Sequence, residues 1–349
     1  MQDQLEGVLH KAIINHVFPG AVLGYTTNGQ RNILAAGSQT YEQSSKTVDS
    51  ETIYDIASLT KVIPTNSLVL KLVERGSLSL DDQVIKFIPE LKNPGRETIL
   101  VKHLLTYSVI FALPHRLSEY ASQGAKAIFE AIYNAPLGDQ VGVTVLYTDA
   151  PVILAAQLVE RVTKKPLDDL GDELLFKPLN MLHTTFHPDK FDKSLIAPSE
   201  IVDGRELKGV AHDEKARALL EDGIMPGHAG IFSDISDLLN FAEMLLNRGR
   251  FAEKQVFNPQ TILEMHTNQI KNSDYAAGLG WHIKKPDFMG SKVSDQAFGK
   301  TGFTGPAILI DPDKKIAMVL LTNSTYPHRS ADRDGINQVR RELADIIFS

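Results

Sequence analysis

Ser58 and Lys61 stand three positions apart in Ser58-Leu59-Thr60-Lys61, a spacing that sets two side chains on one face of a helical turn. A serine hydroxyl is a weak nucleophile at neutral pH and needs a base within hydrogen-bond reach. The pair would be separated by about 4.5 Å along a helix axis, so Lys61 can accept the Ser58 proton if it is neutral. Its ordinary pKa of about 10.4 must then be lowered by burial or by a nearby cation. The apolar run Val62-Ile63-Pro64 is suited to bury it. With Ser58 at a helix start, unpaired backbone N–H groups would also face a developing oxyanion.

Two further motifs carry compatible chemistry. Tyr147-Thr148-Asp149 offers a phenol that could ionise beside lysines and carry a proton from Ser58 to a leaving group. Lys300-Thr301-Gly302, within the run GKTGFTG, offers a cation for a substrate carboxylate and a glycine that lets backbone come close. The N–H of Phe303 would then point into the site. Each motif alone is a weak signal, but each occurs once, in the order Ser-x-x-Lys, Tyr-x-Asp, Lys-Thr-Gly.

The elements that must bring these motifs together are legible in the hydropathy pattern. Leu5, Val8, Leu9, Ile13 and Val17 predict a first amphipathic helix. Residues 20–37 read as a hairpin turning at Thr27-Asn28-Gly29. A long helix is expected from 58 to about 74, ended by Gly76. Residues 79–273 are mostly helical in pattern, for example 151–163 and 236–247. Residues 276–284, 305–311 and 315–323 then read as strands, with a turn at Asp311-Pro312-Asp313. Residues 332–348 close the chain as a helix. Strands at both ends and helices between them imply an α+β fold, an α/β sandwich. One antiparallel sheet is built from both termini and flanked by helices. The expected division is an α/β part (1–75 plus 274–349) and a mostly helical part (76–273), with the site between them.

Composition narrows the function. The 349 residues hold 43 acidic and 36 basic side chains, a net charge of -7. That balance and the lack of a dense Lys/Arg run argue against a nucleic-acid partner. No cysteine is present, which excludes disulfides, Cys-ligated metals and a thiol nucleophile. No stretch of eighteen apolar residues spans a membrane, and the first residues lack a basic-then-apolar leader pattern. The expectation is a cytoplasmic enzyme acting on a small molecule; a trimmed leader would make it secreted. No cofactor is expected, and the pattern sets no oligomeric state.

The three motifs parallel a signature of penicillin-recognising enzymes, and the chain resembles the serine β-lactamase and penicillin-binding-protein superfamily. It is most similar to the class C β-lactamase-like branch, which includes esterases and D-amino-acid peptidases. The likeness covers nearly the whole chain. It includes Tyr54-Asp55-Ile56-Ala57 before Ser58, Gly76-Ser77-Leu78-Ser79-Leu80-Asp81-Asp82, Val101-Lys102-His103-Leu104-Leu105-Thr106, and Pro226-Gly227-His228-Ala229-Gly230-Ile231-Phe232-Ser233. The resemblance implies acylation at Ser58, with Lys61 and Tyr147 sharing the proton transfers. It implies an oxyanion hole from the N–H groups of Ser58 and Phe303, and a substrate contact at Lys300, Thr301, Gly302 and position 149. Asp149 departs from the Asn usual in β-lactamases and cannot donate to a substrate amide when ionised. Tyr107-Ser108-Val109-Ile110-Phe111 replaces a polar turn and predicts an apolar substrate rim.

Rival readings fare worse. A phosphate loop around Gly299-Lys300-Thr301 would need glycine where Ser294 stands. No Gly-x-Ser-x-Gly elbow is present. His183 and His187 are four apart, yet His-Glu-x-x-His is absent and no acidic partner is evident, so no metal is expected. A non-catalytic penicillin-binding or regulatory protein on the same scaffold is the alternative, since fold does not fix activity. The machinery suits a short-chain ester, a D-amino-acid amide or peptide, and a β-lactam.

Overall fold

The computed structural model describes residues 1–27, 29–270, 276–330 and 332–349. Helix α1 spans Gln2–Ile14, and strands β1 (Gly20–Thr27) and β2 (Gln30–Gly37) follow as the expected hairpin. Asn28 of its turn lies outside the described residues. Strands β3 (His282–Ile283), β4 (Phe298–Thr301), β5 (Ala307–Asp311) and β6 (Ile316–Thr322) complete a six-stranded sheet of order β2-β1-β6-β5-β4-β3. Every pairing is antiparallel. The sheet is thus built from both chain ends, as the strand pattern implied.

Side chains alternate across a strand, and here both faces are covered. Val22, Phe298, Ile308, Ile310, Val319 and Leu321 face a large core shared with the middle of the chain. Ala21, Leu23, Leu309, Met318 and Leu320 face a second core. That second face is closed by α1, through Leu5 and Leu9, and by a C-terminal helix over Asp334–Ile347, through Ile336, Leu343 and Ile347. Covering both faces explains why β5 and β6 read as continuous apolar runs rather than alternating ones.

The middle of the chain contributes helices α2 (Ser67–Glu74), α3 (Ala150–Thr163), α4 (Glu214–Glu221) and α5 (Ile235–Leu246). The C-terminal helix is α6. Among the described residues no helix is long and apolar enough to cross a membrane.

Two expected elements are corrected. The helix predicted from 58 to 74 is not continuous: a 3-10 turn over Ala57–Lys61 leads into a wide turn over Val62–Asn66, and only then does α2 begin. The break falls at Ile63 (φ -125°, ψ 82°). Pro64 cannot donate an N–H and disfavours helical backbone in the residue before it. The strand predicted over 276–284 shrinks to His282–Ile283. Its chain bends at Gly280, whose φ is +95°, and a Cβ there would meet Asn66 Nδ2 at 2.0 Å.

Candidate active site

The segment leading to Ser58 is pinned from both sides. Tyr54–Asp55 pairs as a short strand with Phe232–Ser233, and Ile56 N donates to Ile231 O at 3.0 Å. The Asp55 carboxylate accepts from Ala57 N and His212 N, each at 2.7 Å. Burial pushes this acid up to about 6, against the pull of those two N–H groups. Ala57 adopts φ +45°, a left-handed conformation disfavoured by its Cβ. The hydrogen bond from Ala57 to Asp55 therefore fixes a strained turn immediately before Ser58.

Lys61 is fully buried, and its Nζ has three oxygens around it. They are Ser58 Oγ at 2.8 Å, His228 O at 2.9 Å and Asp149 Oδ1 at 2.8 Å. This corrects one expectation. Burial alone would push the ammonium down, but Asp149, then Tyr147 and the more remote Asp213 outweigh it, and Lys61 is shifted above its ordinary value. Asp149 in turn is held well below the usual carboxylate range. Burial opposes that shift, and Lys61, His228 and Lys215 produce it. Asp149 is thus turned toward two lysines, with Lys215 Nζ 3.4 Å from its second oxygen. It was expected at the substrate.

Lys300 is also displaced from its expected place in the cleft. It is fully buried on β4, where Nζ donates to Tyr107 Oη (2.8 Å) and to Gly280 O (3.0 Å). Its ammonium lies 4.5 Å from the Tyr107 ring centroid and 4.4 Å from that of Tyr147. Burial, then Lys61 and Lys285, hold it well below its ordinary value, with Asp149 opposing. Tyr147 therefore sits between two lysines, as expected, with Lys61 Nζ 5.3 Å from its ring centroid. Tyr147 is 39% exposed and lines the cleft over Ser58.

The loop after β4 closes the arrangement. Gly302 packs so tightly that a Cβ would meet Ile56 O at 2.6 Å, which brings Phe303 to the nucleophile turn. Arg340 of α6 braces this loop from behind, donating to the carbonyls of Gly302, Gly305 and Pro306. A cleft of about 320 Å³ opens over Ser58, walled by Tyr147, Thr301, Gly302 and Phe303, and the cations Lys285, Arg333 and Arg340 also line it. The apolar rim expected from 107–111 is absent. Val109 and Phe111 are buried in the large core, where their apolar surface leaves water, Ile110 lies half-buried beside Gly138, and Tyr107 meets Lys300.

The chain can be compared with known proteins on this geometry. A family model described as Beta-lactamase matches residues 3–341. The chain belongs to the Beta-lactamase family. It is 33% identical over 309 residues to a putative D-alanyl-D-alanine carboxypeptidase of Escherichia coli (strain K12), covering 79% of this chain and 70% of that protein. It is 31% identical over 348 residues to the N-acetylmuramyl-L-alanine amidase of Bacillus subtilis (strain 168), covering 88% and 78%. In fold it is similar to EstCE1, a hydrolase with promiscuous acyltransferase activity, with a TM-score of 0.80 at 20% identity over 100% of this chain and 98% of that one. A class C β-lactamase aligns with a TM-score of 0.77 at 18% identity, over 99% and 95%.

This member of the β-lactamase family also contains site residues that motif reading passed over. His228 lies in a segment whose resemblance was noted, but its carbonyl contact to Lys61 is a tertiary fact. Asp213 and Lys215, in a stretch that reads as an ordinary charged helix start, approach Asp149 only in the fold. Asp149, Asp213 and His228 present ligand atoms within 4.8 Å of one another. Lys61 and Lys215 already neutralise the two carboxylates, so the cluster is an ion-pair network rather than a cation site. His183 and His187 do find acidic partners, but different ones: Asp234 at 2.6 Å and Asp168 at 2.9 Å.

Proposed function

We propose that the protein is a serine hydrolase that forms an acyl-enzyme on Ser58 and turns over small carboxylic esters or D-amino-acid amides and peptides. The observation that carries this reading is the Lys61 ammonium nitrogen 2.8 Å from Ser58 Oγ, with its two other acceptors supplied by His228 O and Asp149. When Lys61 is neutral, two N–H bonds go to those acceptors and its lone pair faces the Ser58 hydroxyl. The Ser58 proton then passes to Lys61 while Oγ bonds to the substrate carbonyl carbon, and the C=O electron pair moves onto oxygen. The N–H groups of Ser58 and Phe303 are the donors assigned to that oxyanion. Collapse of the intermediate expels the leaving group, which takes a proton by way of Tyr147. Water repeats the sequence on the acyl-enzyme, breaking the ester to Ser58.

Among the described residues, Lys285, Arg333 and Arg340 line the cleft and no carboxylate does. Its positive field favours substrates that carry a carboxylate, which fits the peptide names of the two relatives better than a neutral ester. The site would lie in the seam between the α/β part (1–75 plus 274–349) and the mostly helical part (76–273), and a cytoplasmic setting would supply it with small, soluble substrates. Ser58→Ala should abolish both turnover and labelling by a fluorescent phosphonate, read by intact mass, with the melting temperature retained. Full labelling of the Ala variant would refute the assignment. Labelling of the wild type without turnover of esters, D-alanyl peptides or nitrocefin would point to a binding protein instead.

A further inference from the structure

Behind Ser58 the charged side chains form a closed ring. Lys61 Nζ meets Asp149 Oδ1 at 2.8 Å, and Asp149 Oδ2 faces Lys215 Nζ at 3.4 Å. Lys215 Nζ donates to Asp213 Oδ2 at 2.7 Å, and Asp213 Oδ1 pairs with His228 Nε2 at 2.9 Å. The His228 carbonyl accepts from Lys61 at 2.9 Å and completes the circuit. Lys215 is 7% exposed and His228 fully buried, so neither is a solvated surface charge.

The ring is anchored where backbone is rigid. Asp213 is the N-cap of α4, its Oδ1 accepting from Ala216 N at 2.9 Å, an interaction that fixes a side chain at a helix start. Lys215 is the second residue of that helix. Two ammonium groups and two carboxylates balance, so the ring is neutral when His228 is neutral. Balance matters here because an uncompensated charge in a buried site is costly. Asp149 is thus matched by a cation that no motif predicted.

We infer that Lys215 is a positioning residue for the acylation of Ser58: its ammonium, seated on Asp213, holds the Asp149 carboxylate and so limits how firmly Asp149 keeps the third proton on Lys61. A carboxylate bound on one side to Lys215 is a weaker partner for Lys61 on the other. Without Lys215, Asp149 would bind the Lys61 ammonium more tightly and leave less of the neutral amine that Ser58 needs. The other groups facing this pair are Asp213 and His228 within the ring, and Tyr147, Lys300 and His282 across Lys61. Of these, His228 also faces Asp149, with their ligand atoms within 4.8 Å of each other, but the cation in ion-pair contact with Asp149 Oδ2 is Lys215.

The inference rests on the acyl-enzyme reading, and the test separates the two. The rate constant for phosphonate labelling is measured by intact mass from pH 5 to 10. It is compared in wild type, Lys215→Met, Asp149→Asn and the double variant. Neighbouring charges at this range shift a pKa by about one unit or more. Lys215→Met should therefore move the acid limb upward by about one pH unit, with tenfold slower labelling below it. Lys215→Arg should keep the wild-type limb. Because the effect passes through Asp149, the same Lys215→Met change in the Asp149→Asn background should move the limb by less than about 0.3 unit. Equal shifts in both backgrounds, or no shift in either, would overturn the inference. If the Met variant does not fold, Lys215→Gln, which keeps a donor but no charge, should give the same upward shift. Absence of labelling in the wild type would instead remove the hydrolase reading itself.

Discussion

Replacing Lys300 with Met removes an ammonium from beneath Tyr147 while keeping a flexible apolar stem of similar length. The sequence pattern suggested that Lys300 binds a substrate carboxylate, but the side chain is fully buried and committed to Tyr107 Oη and Gly280 O. Its remaining influence on the chemistry passes through Tyr147. A unit charge 4.4 Å from the Tyr147 ring centroid interacts with an anion there by about 3.8 kcal/mol at an effective dielectric constant of about 20. Tyr147 as a residue is 39% exposed, and screening at that exposure roughly halves the value, to about 2 kcal/mol, or about 30-fold in rate. Among the described residues no carboxylate lies within hydrogen-bond range of this buried ammonium, so a developing phenolate would relieve it. The assay is kcat/KM for a matched pair of p-nitrophenyl esters, one neutral and one ending in a carboxylate. Both should fall by about 30-fold in Lys300→Met, with their ratio changed by less than about threefold. A direct charge-assisted hydrogen bond is worth about 1.5–3 kcal/mol, or about ten- to a hundredfold. An extra loss of tenfold or more confined to the carboxylate ester would refute the argument and return Lys300 to the substrate.

Two other outcomes follow from the site. Gly302→Ala would set a Cβ 2.6 Å from Ile56 O, so the loop bearing Phe303 must draw back from the nucleophile turn. Labelling of Ser58 should slow by about a hundredfold, as for loss of one oxyanion donor, and the melting temperature should fall because the clash is with backbone; an unimpaired rate in the folded variant would show that Phe303 N–H is not used. Nitrocefin should be a poorer substrate than p-nitrophenyl butyrate, because Asp149 faces Lys61 and Lys215 and has no donor to offer a lactam side-chain amide. A higher specificity constant for nitrocefin would remove that explanation.

Much of the architecture was readable from local pattern. The alternation and turn chemistry of 20–37, the apolar runs at β5 and β6, and the amphipathic periods of α1 and α6 reflect side chains that must leave water, and that requirement is written residue by residue. The motif order was readable as well, since Ser-x-x-Lys depends on a spacing within one turn. Where local pattern misled, a nonlocal contact or a special backbone won. Pro64 broke the helix that apolar period alone would continue, and Gly280 bent a run that looked extended because Asn66 lies against it.

The sequence by itself determined the pairing of Ser58 with Lys61 and the two-ended sheet, because these follow from hydropathy and from separations of a few residues. Only the tertiary structure decided in which direction each group's hold on its proton is shifted. Lys61 meets its carbonyl partner 167 positions away at His228, and Lys300 meets Tyr107 across 193 positions. Whether a lysine is neutral or protonated depends on the balance between burial and partners of this kind. The two lysines resolve that balance in opposite directions, Lys61 raised beside Asp149 and Lys300 lowered without a comparable carboxylate. Identical side chains in one site thus differ for a reason that no spacing along the chain contains: which one the fold places against a negative charge.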